Sequence, residues 1–208
     1  MKTSLDFDFS KKIILEDERV ILRPLENTDS VNLLSFSVEE PDLWQYSLVQ
    51  AIGEEGLRNY LNVAIEAREG RREYPFIVFD KLFNRYAGST RFYDIQLSNK
   101  CLQIGYTWYG RQFQGTGLNK HCKYLLLEFA FENMGMERVE FRADSQNERS
   151  IAAMKSLGCE VEGILRSTGL RTDGNRRNSI VLSILKEEWE SSVKTSLRKN
   201  LDDFITKD

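Results

Sequence analysis

Three glycines stand close together in the stretch GRQFQGTGLNKH, at Gly110, Gly115 and Gly117. They run straight into CKYLLLEFAFE, where Leu118, Cys122, Leu125 and Phe129 recur at helical spacing. The first turn of a helix leaves backbone N–H groups unpaired and carries a partial positive charge. A bare entry lets an anion approach those groups, so this segment has the chemistry of a phosphate or pyrophosphate cradle. A tight turn that needs glycine for its own sake is the alternative. Two phosphate-loop patterns fit poorly. A P-loop needs Gly-Lys followed by Ser or Thr, whereas Gly117 is followed by Leu118 and Asn119. A dinucleotide fingerprint needs a third glycine where Lys120 stands, although Glu140 lies where a ribose-binding acid would.

Other reactive side chains are sparse. His121 is the only histidine and, on the first turns of this helix beside Lys120, is expected to be exposed rather than catalytic. Cys101, Cys122 and Cys159 are scattered, with no CxxC pair, which argues against a disulfide framework and against a metal site. Cys122 falls on the apolar stripe and reads as core.

The elements that must position the loop are legible. RVILRPL (19–25) alternates as a strand does and stops at Pro24. Asn27 or Thr28 can cap a helix with Val31, Leu34 and Val38 on one face. EEPDLWQYSLVQ (39–50) reads as irregular, and 54–69 as a helix built on Leu57, Leu61, Ala64 and Ile65. PFIVFDK, RYAGSTRFYDI and CLQIGYTWYG are joined by short turns, as in an antiparallel meander. The glycine loop and its helix lead to the strand RVEFRAD (138–144). A strand–helix–strand crossover makes that strand parallel to 101–110. Asn147 caps a helix that Gly158 ends, and TDGN marks a final hairpin. The tail KEEWESSVKTSLRKNLDDF is a polar helix with Trp189, Val193, Leu197 and Leu201 spaced by four, suited to pack on the body or on a second subunit. The fold class is α+β, with a mixed, mostly antiparallel sheet.

Composition narrows the function classes. The 208 residues are 41% hydrophobic and 29% charged, ordinary for a soluble globular chain. A net charge of −3 gives no basic surplus for nucleic acid. Residues 1–15 lack the apolar core of a signal peptide, and no apolar run suits a membrane span. A cytoplasmic protein with reduced thiols is expected, with neither nucleic acid nor membrane as partner.

A third phosphate pattern, Gln/Arg-x-x-Gly-x-Gly/Ala, is met at Gln112, Gly115 and Gly117. Here the chain resembles the GNAT superfamily of acyl-CoA-dependent N-acetyltransferases, in the branch that includes ribosomal-protein N-terminal (alanine or serine) acetyltransferases. RVILRPL resembles that family's first strand, IGYTWYGRQFQGTGLN its fourth strand and pyrophosphate loop, and RVEFRADSQNERSIAAMKSLGCEVEGILR its fifth strand, Asn-x-x-Ser helix and closing turn. The likeness covers residues 12–186, leaving 187–208 as a helical tail. It implies a three-layer α/β/α fold whose sheet splays between the family's fourth and fifth strands.

It also implies a site. Acetyl-CoA would lie between the splayed strands, on main-chain groups of Tyr109 and Gly110. Its pyrophosphate would meet the segment Gln112, Phe113, Gln114, Gly115, Thr116, Gly117, Leu118 and Asn119, with the amides from Gln114 to Asn119 as donors. Asn147 and Ser150 match positions that contact the pantetheine or an ordered water. Glu140 lies where some relatives carry a glutamate base, with Asp94 and Ser145 as weaker candidates. Trp44, Tyr46, Arg91 and Tyr93 border the acceptor groove, joined by Arg171, Arg176 and Arg177 of the last hairpin. Each has a plainer role open to it: Glu140 as a partner of Arg142, Asn147 as an N-cap, Trp44 as a core anchor, the arginines as solvated charges. Many relatives place a tyrosine, the acid for the leaving thiolate, where this chain has Met154. Tyr93 or water can serve instead, or the thiolate can leave unassisted. Ser156 and Cys159 depart from the usual lysine and closing aromatic. The reaction implied is direct attack by a primary amine on acetyl-CoA, without a metal. A non-catalytic acyl-CoA-binding sensor of the same fold is the alternative, and a homodimer is open through the tail.

Overall fold

A computed structural model describes residues 7–171 and 173–205. Eight strands form one sheet. In chain order they are β1 (Leu15–Glu16), β2 (Val20–Pro24), β3 (Tyr74–Asp80), β4 (Arg85–Gln96), β5 (Cys101–Tyr109), β6 (Arg138–Asp144), β7 (Glu160–Leu170) and β8 (Arg176–Leu185). Their order across the sheet is β1-β2-β3-β4-β5-β6-β8-β7. Every neighbouring pair is antiparallel except β5 and β6, which are parallel. Of the expected TDGN turn, Thr172 lies outside the described residues.

Helices α1 (Ser30–Glu39) and α2 (Gly53–Glu69) cover one face, where Tyr60 of α2 meets Arg91 of β4 and Trp108 of β5. Helix α3 (Leu118–Glu128) lies on the opposite face and runs on as a π turn, Phe129–Asn133, whose Phe129 stacks on Phe92 of β4. Helix α4 (Glu148–Ser156) follows β6, and a right-handed crossover to β7 puts it on the same face of the sheet as α3. The expected stripe on α1 is corrected: Leu33, Phe36 and Ser37 are buried, while Val31 and Val38 are 79% and 59% exposed. A 3₁₀ turn at Asn27–Asp29, bridged by Glu26 and Asp29, rotates the helix away from the face its valines suggest.

The tail forms α5 (Lys186–Glu188), a π turn (Trp189–Val193) and α6 (Lys194–Ile205). Its apolar stripe closes on the chain itself. Trp189 packs against Tyr124 and Phe131, and Trp189, Val193, Leu197 and Leu201 are all buried. Lys194 adds ion pairs to Glu128 and Glu132. The stripe that left a second subunit open is thus consumed within the fold.

The sheet is not zipped along its length. β5 and β6 pair only at Cys101–Arg138, Leu102–Val139 and Gln103–Glu140, although β5 continues to Tyr109 and β6 to Asp144. A bulge explains the parting. The β4–β5 register jumps between Ser89 and Arg91, and Tyr106 takes a positive φ of 49°. An inserted residue bends its strand and sharpens its twist, here carrying the end of β5 away from β6. Past Gln103 the two strands form an open wedge.

Candidate active site

The glycine loop sits at the C-terminal end of β5, at the mouth of α3. Gly115 and Gly117 adopt φ values of 79° and 87°, which side chains disfavour. Gly117 stands at the N-cap with no side-chain cap. The N–H groups of Gly115, Thr116, Gly117, Leu118 and Asn119 have no acceptor among the described residues, while Lys120 and His121 already donate to the Gly117 carbonyl. Five amides at a helix N-terminus suit a diphosphate.

Three expectations for this loop are corrected. The Gln114 N–H donates to Arg111 O and its side chain to Tyr109 O, so the free amides begin at Gly115. Phe113 is buried against Phe36 and Phe83, with its N–H on Gly110 O, and so anchors the loop from below. His121 is buried, not exposed, because its Nδ1 lies 2.7 Å from Asp17 Oδ2 in the turn between β1 and β2. The same turn supplies Arg19, which pairs with Asp80 at 2.9 Å and donates to Thr116 Oγ1 at 3.4 Å. Two ties thus hold the cradle to the sheet edge. Gln112 is exposed, and Leu118 offers only its N–H because its side chain is fully buried.

The wedge wall is set by strand register. Gly110 N–H donates to Ala87 O, so Gly88 and Tyr109 form a non-hydrogen-bonded pair. That turns the Tyr109 N–H away from β4 and into the wedge, while the Gly110 N–H is already committed. Tyr109 is therefore the main-chain donor of the two. Across the gap, Asn147 caps α4 by accepting the Ser150 N–H at 3.0 Å, which leaves its amide nitrogen uncommitted among the described residues. Ser145 donates its N–H to Asn178 O at the end of β6. Met154 is buried beneath α4.

The opposite side of the wedge, toward α1 and α2, is crowded with paired charge. Glu140 faces it from the last paired position, both oxygens engaged by Arg138 at 2.7 Å and Arg142 at 2.6 Å. Asp144 is buried and takes two bonds from Arg171 at 2.7 Å. Burial raises its pKa, but the bonds from Arg171 and the Gln146 N–H outweigh that and hold it below the usual carboxylate range. Arg177 donates to Tyr46 O at 2.9 Å and binds Ser179, and Arg176 binds Ser167. Arg91 is 1% exposed, paired with Glu73 and stacked on Tyr60 and Tyr106. The hairpin arginines are thus braces.

Two acceptor-groove expectations change. Trp44 is 1% exposed and lies edge-on to Trp108, so it anchors the loop between α1 and α2. Arg91 is likewise sealed beneath Tyr106. Tyr93 keeps its place: Gly105 is bare because a Cβ there would lie 2.7 Å from the Tyr93 ring, so that ring crosses β5 toward the wedge. Burial holds its phenol well above the ordinary tyrosine range. Tyr46 is half-buried beside Arg177, and exposed Asp94 accepts from Gln103.

One buried group escaped the sequence pattern. Lys123 of α3 is 5% exposed, donating to Thr107 Oγ1 at 2.6 Å and Thr90 Oγ1 at 3.1 Å. Its neighbours Cys122, Tyr124, Leu125, Leu126 and Leu127 are all buried, because Trp189 of the π turn and α6 cover the side of α3 that the sheet does not. A lysine beside the Cys122 position was the available signal.

An open wedge between parallel strands, with bare amides at the helix that follows, matches one family. Residues 19–160 match the acetyltransferase (GNAT) domain. The chain belongs to the GNAT family. It is 26% identical over 183 residues to the protein named "Probable N-acetyltransferase YjcK" of Bacillus subtilis (strain 168), covering 85% of this chain and 99% of that protein. YdaF of the same organism, provisionally named a ribosomal N-acetyltransferase, is 27% identical, covering 84% of this chain and 95% of its own length. The crystal structure of a GCN5-related N-acetyltransferase from Brucella melitensis shares the fold with a TM-score of 0.85 at 22% identity, over 93% of this chain and 87% of that one. This GNAT protein is an acyl-CoA-dependent acetyltransferase. No helix among its described residues is long and apolar enough to cross a membrane.

Proposed function

We propose that this protein moves an acetyl group from acetyl-CoA to a primary amine by direct attack in a ternary complex. The observation that carries the reading is the union of two features: pairing of β5 with β6 that stops at Gln103, and five uncommitted amides from Gly115 to Asn119. The amides would hold the diphosphate, and Tyr109 N–H and the Asn147 amide would hold the arm that enters the wedge. When bound, acetyl-CoA supplies an activated acyl group and a thiol leaving group. A main-chain N–H facing the wedge polarises a carbonyl placed against it and stabilises developing negative charge there.

The acceptor must enter from the α1 and α2 side, past Tyr93, Tyr46 and Glu140. Arg91, Arg138, Arg142 and Arg171 there are paired with carboxylates, while Arg176 and Arg177 bind neutral oxygens, so most of the positive charge on this side is already neutralised. A protein α-amine is favoured over a lysine amine on acid–base grounds. Its ordinary pKa of about 7.7–8.0, against about 10.4 for lysine, leaves far more of it neutral near pH 7.5. The naming of YdaF points the same way. An acceptor screen with acetyl-CoA over peptides, amino sugars, polyamines and small amines, read by thiol release and product mass, tests the reading. Turnover with an amine supports it; binding of acetyl-CoA without turnover on any class would reduce the protein to an acyl-CoA sensor.

A further inference from the structure

Breaking a thioester leaves a sulfur that must gain a proton, and Met154 cannot give one. Met154 stands on α4, so the side of the wedge toward α3 and α4, where the diphosphate cradle lies, is where a substitute for the usual donor would stand. Past its last pairing with β6, β5 presents two polar side chains to that side. Tyr109 Oη is sealed beneath α3 beside Cys122. Thr107 Oγ1 belongs to a half-buried residue on the wedge wall, and Lys123 Nζ donates to it from behind. Thr90 Oγ1, 2.8 Å from Thr107 Oγ1, completes a closed triangle.

We propose that Thr107 Oγ1, resupplied by Lys123 Nζ, delivers the proton to the leaving sulfur. The inference rests on the acetyl-CoA reading above. As the acceptor's C–N bond forms and the C–S bond breaks, the Thr107 hydroxyl proton passes to sulfur and an Nζ proton replaces it. The acceptor nitrogen loses its own proton to solvent, and after the products leave a solvent proton returns to Lys123 through the Thr107 hydroxyl, leaving amide and free thiol. Thr107 is the donor, and Lys123 is a positioning residue behind it.

The surroundings of Lys123 favour proton release. No carboxylate pairs with it among the described residues; the titratable groups facing it are Cys122 on its own helix and Cys159 beyond α4, while β4 and β5 offer only hydroxyls. Burial pushes its ammonium down to about 8. An ordinary thiol lies at about 8.5, so the ammonium that resupplies Thr107 and the sulfur that finally holds the proton are closely matched.

The test begins without turnover. Free CoA is bound to the whole chain and its thiolate is followed by ultraviolet absorbance across pH, in wild type and Lys123→Met. The expected result is a bound thiol that ionises about one pH unit lower in wild type than in the variant, because a cation stands nearby. With an amine from the acceptor screen, Thr107→Val should then lower kcat about 100-fold with the acetyl-CoA Kd unchanged, and Thr107→Ser should restore it. The same thiol midpoint in both proteins overturns the proposal while leaving acetyl-CoA binding intact. So does a kcat loss in Tyr93→Phe with none in Thr107→Val. Should Lys123→Met not fold, a wild-type bound thiol that titrates like free CoA overturns it as well. If wild type binds no CoA, the acetyl-CoA reading falls and takes this inference with it.

Discussion

The two sides of the wedge are built on opposite principles. Toward α3, the work falls to backbone: five free amides, the Tyr109 N–H, and a single buried cation held by hydroxyls alone. Toward α1 and α2, nearly every charge is spoken for, with Glu140 between two arginines, Asp144 on Arg171 and Arg91 on Glu73. The first arrangement is preorganised to receive a fixed anion at little reorganisation cost. The second is a rigid frame that shapes an opening. A family whose donor is constant and whose acceptor varies is served by that division.

The comparison breaks most sharply at Gly117. Its φ of 87° and its place among the free amides leave no room for a side chain once a diphosphate is seated. Gly117→Trp is expected to weaken acetyl-CoA binding at least about 100-fold by calorimetry, a loss of roughly 2.7 kcal/mol or more. The fold should persist, since a left-handed residue costs about 1–2 kcal/mol. Equal loss from Arg142→Ala on the other side would erase the distinction.

Legibility followed the same division. The cradle could be read because glycine spacing and helix periodicity are local properties of the chain, and the family resemblance carried by the ordered motifs implied where the wedge opens. The acceptor side could not, since its roles depend on partners distant in sequence. Nothing around Trp44 announces Trp108, and nothing around His121 announces Asp17. The buried face of α1 is not legible locally, because Val31 and Val38 are spaced as a core stripe, yet the preceding turn presents Leu33 and Phe36 to the sheet. Lys123 gives little local signal of its burial, because a lysine is rarely fully buried without a carboxylate.

That burial has a measurable consequence on the α3 side. A lysine whose folded pKa is lowered from 10.5 to about 8 is protonated in both states below pH 8. Between 8 and 10.5 the unfolded chain binds the extra proton, so wild-type stability rises with pH through that window. Lys123→Met lacks the titration. Its stability relative to wild type should be greatest below pH 8 and fall by about 3 kcal/mol as pH passes 10.5, read by urea unfolding at several pH values. A difference that stays constant with pH would mean the amine is well hydrated.

On the frame side, Arg171→Met should lower the melting midpoint at pH 7 by leaving Asp144 buried and unpaired. Asp144 has a lowered folded pKa, so its contribution is present above the unfolded value and is lost as pH falls through the folded one. The gap between wild type and variant should therefore close toward acid. Acetyl-CoA affinity should not move, while the acceptor KM rises. A matching loss of acetyl-CoA affinity would show that the two sides are coupled.

Glu140 gives the smallest expected effect and the finest test of the division. It faces the acceptor opening, where a base is needed, yet both oxygens serve arginines. To take a proton it must surrender one of those bonds, whereas an α-amine near its own pKa can shed its proton to water. Glu140→Gln keeps the shape and one acceptor oxygen, so kcat should fall less than about tenfold, below the ordinary range for loss of a general base. If Glu140 is structural, the fall will be the same at every pH. A deficit that deepens toward low pH, where fewer amines are neutral, would instead make Glu140 the base and place working chemistry inside the frame.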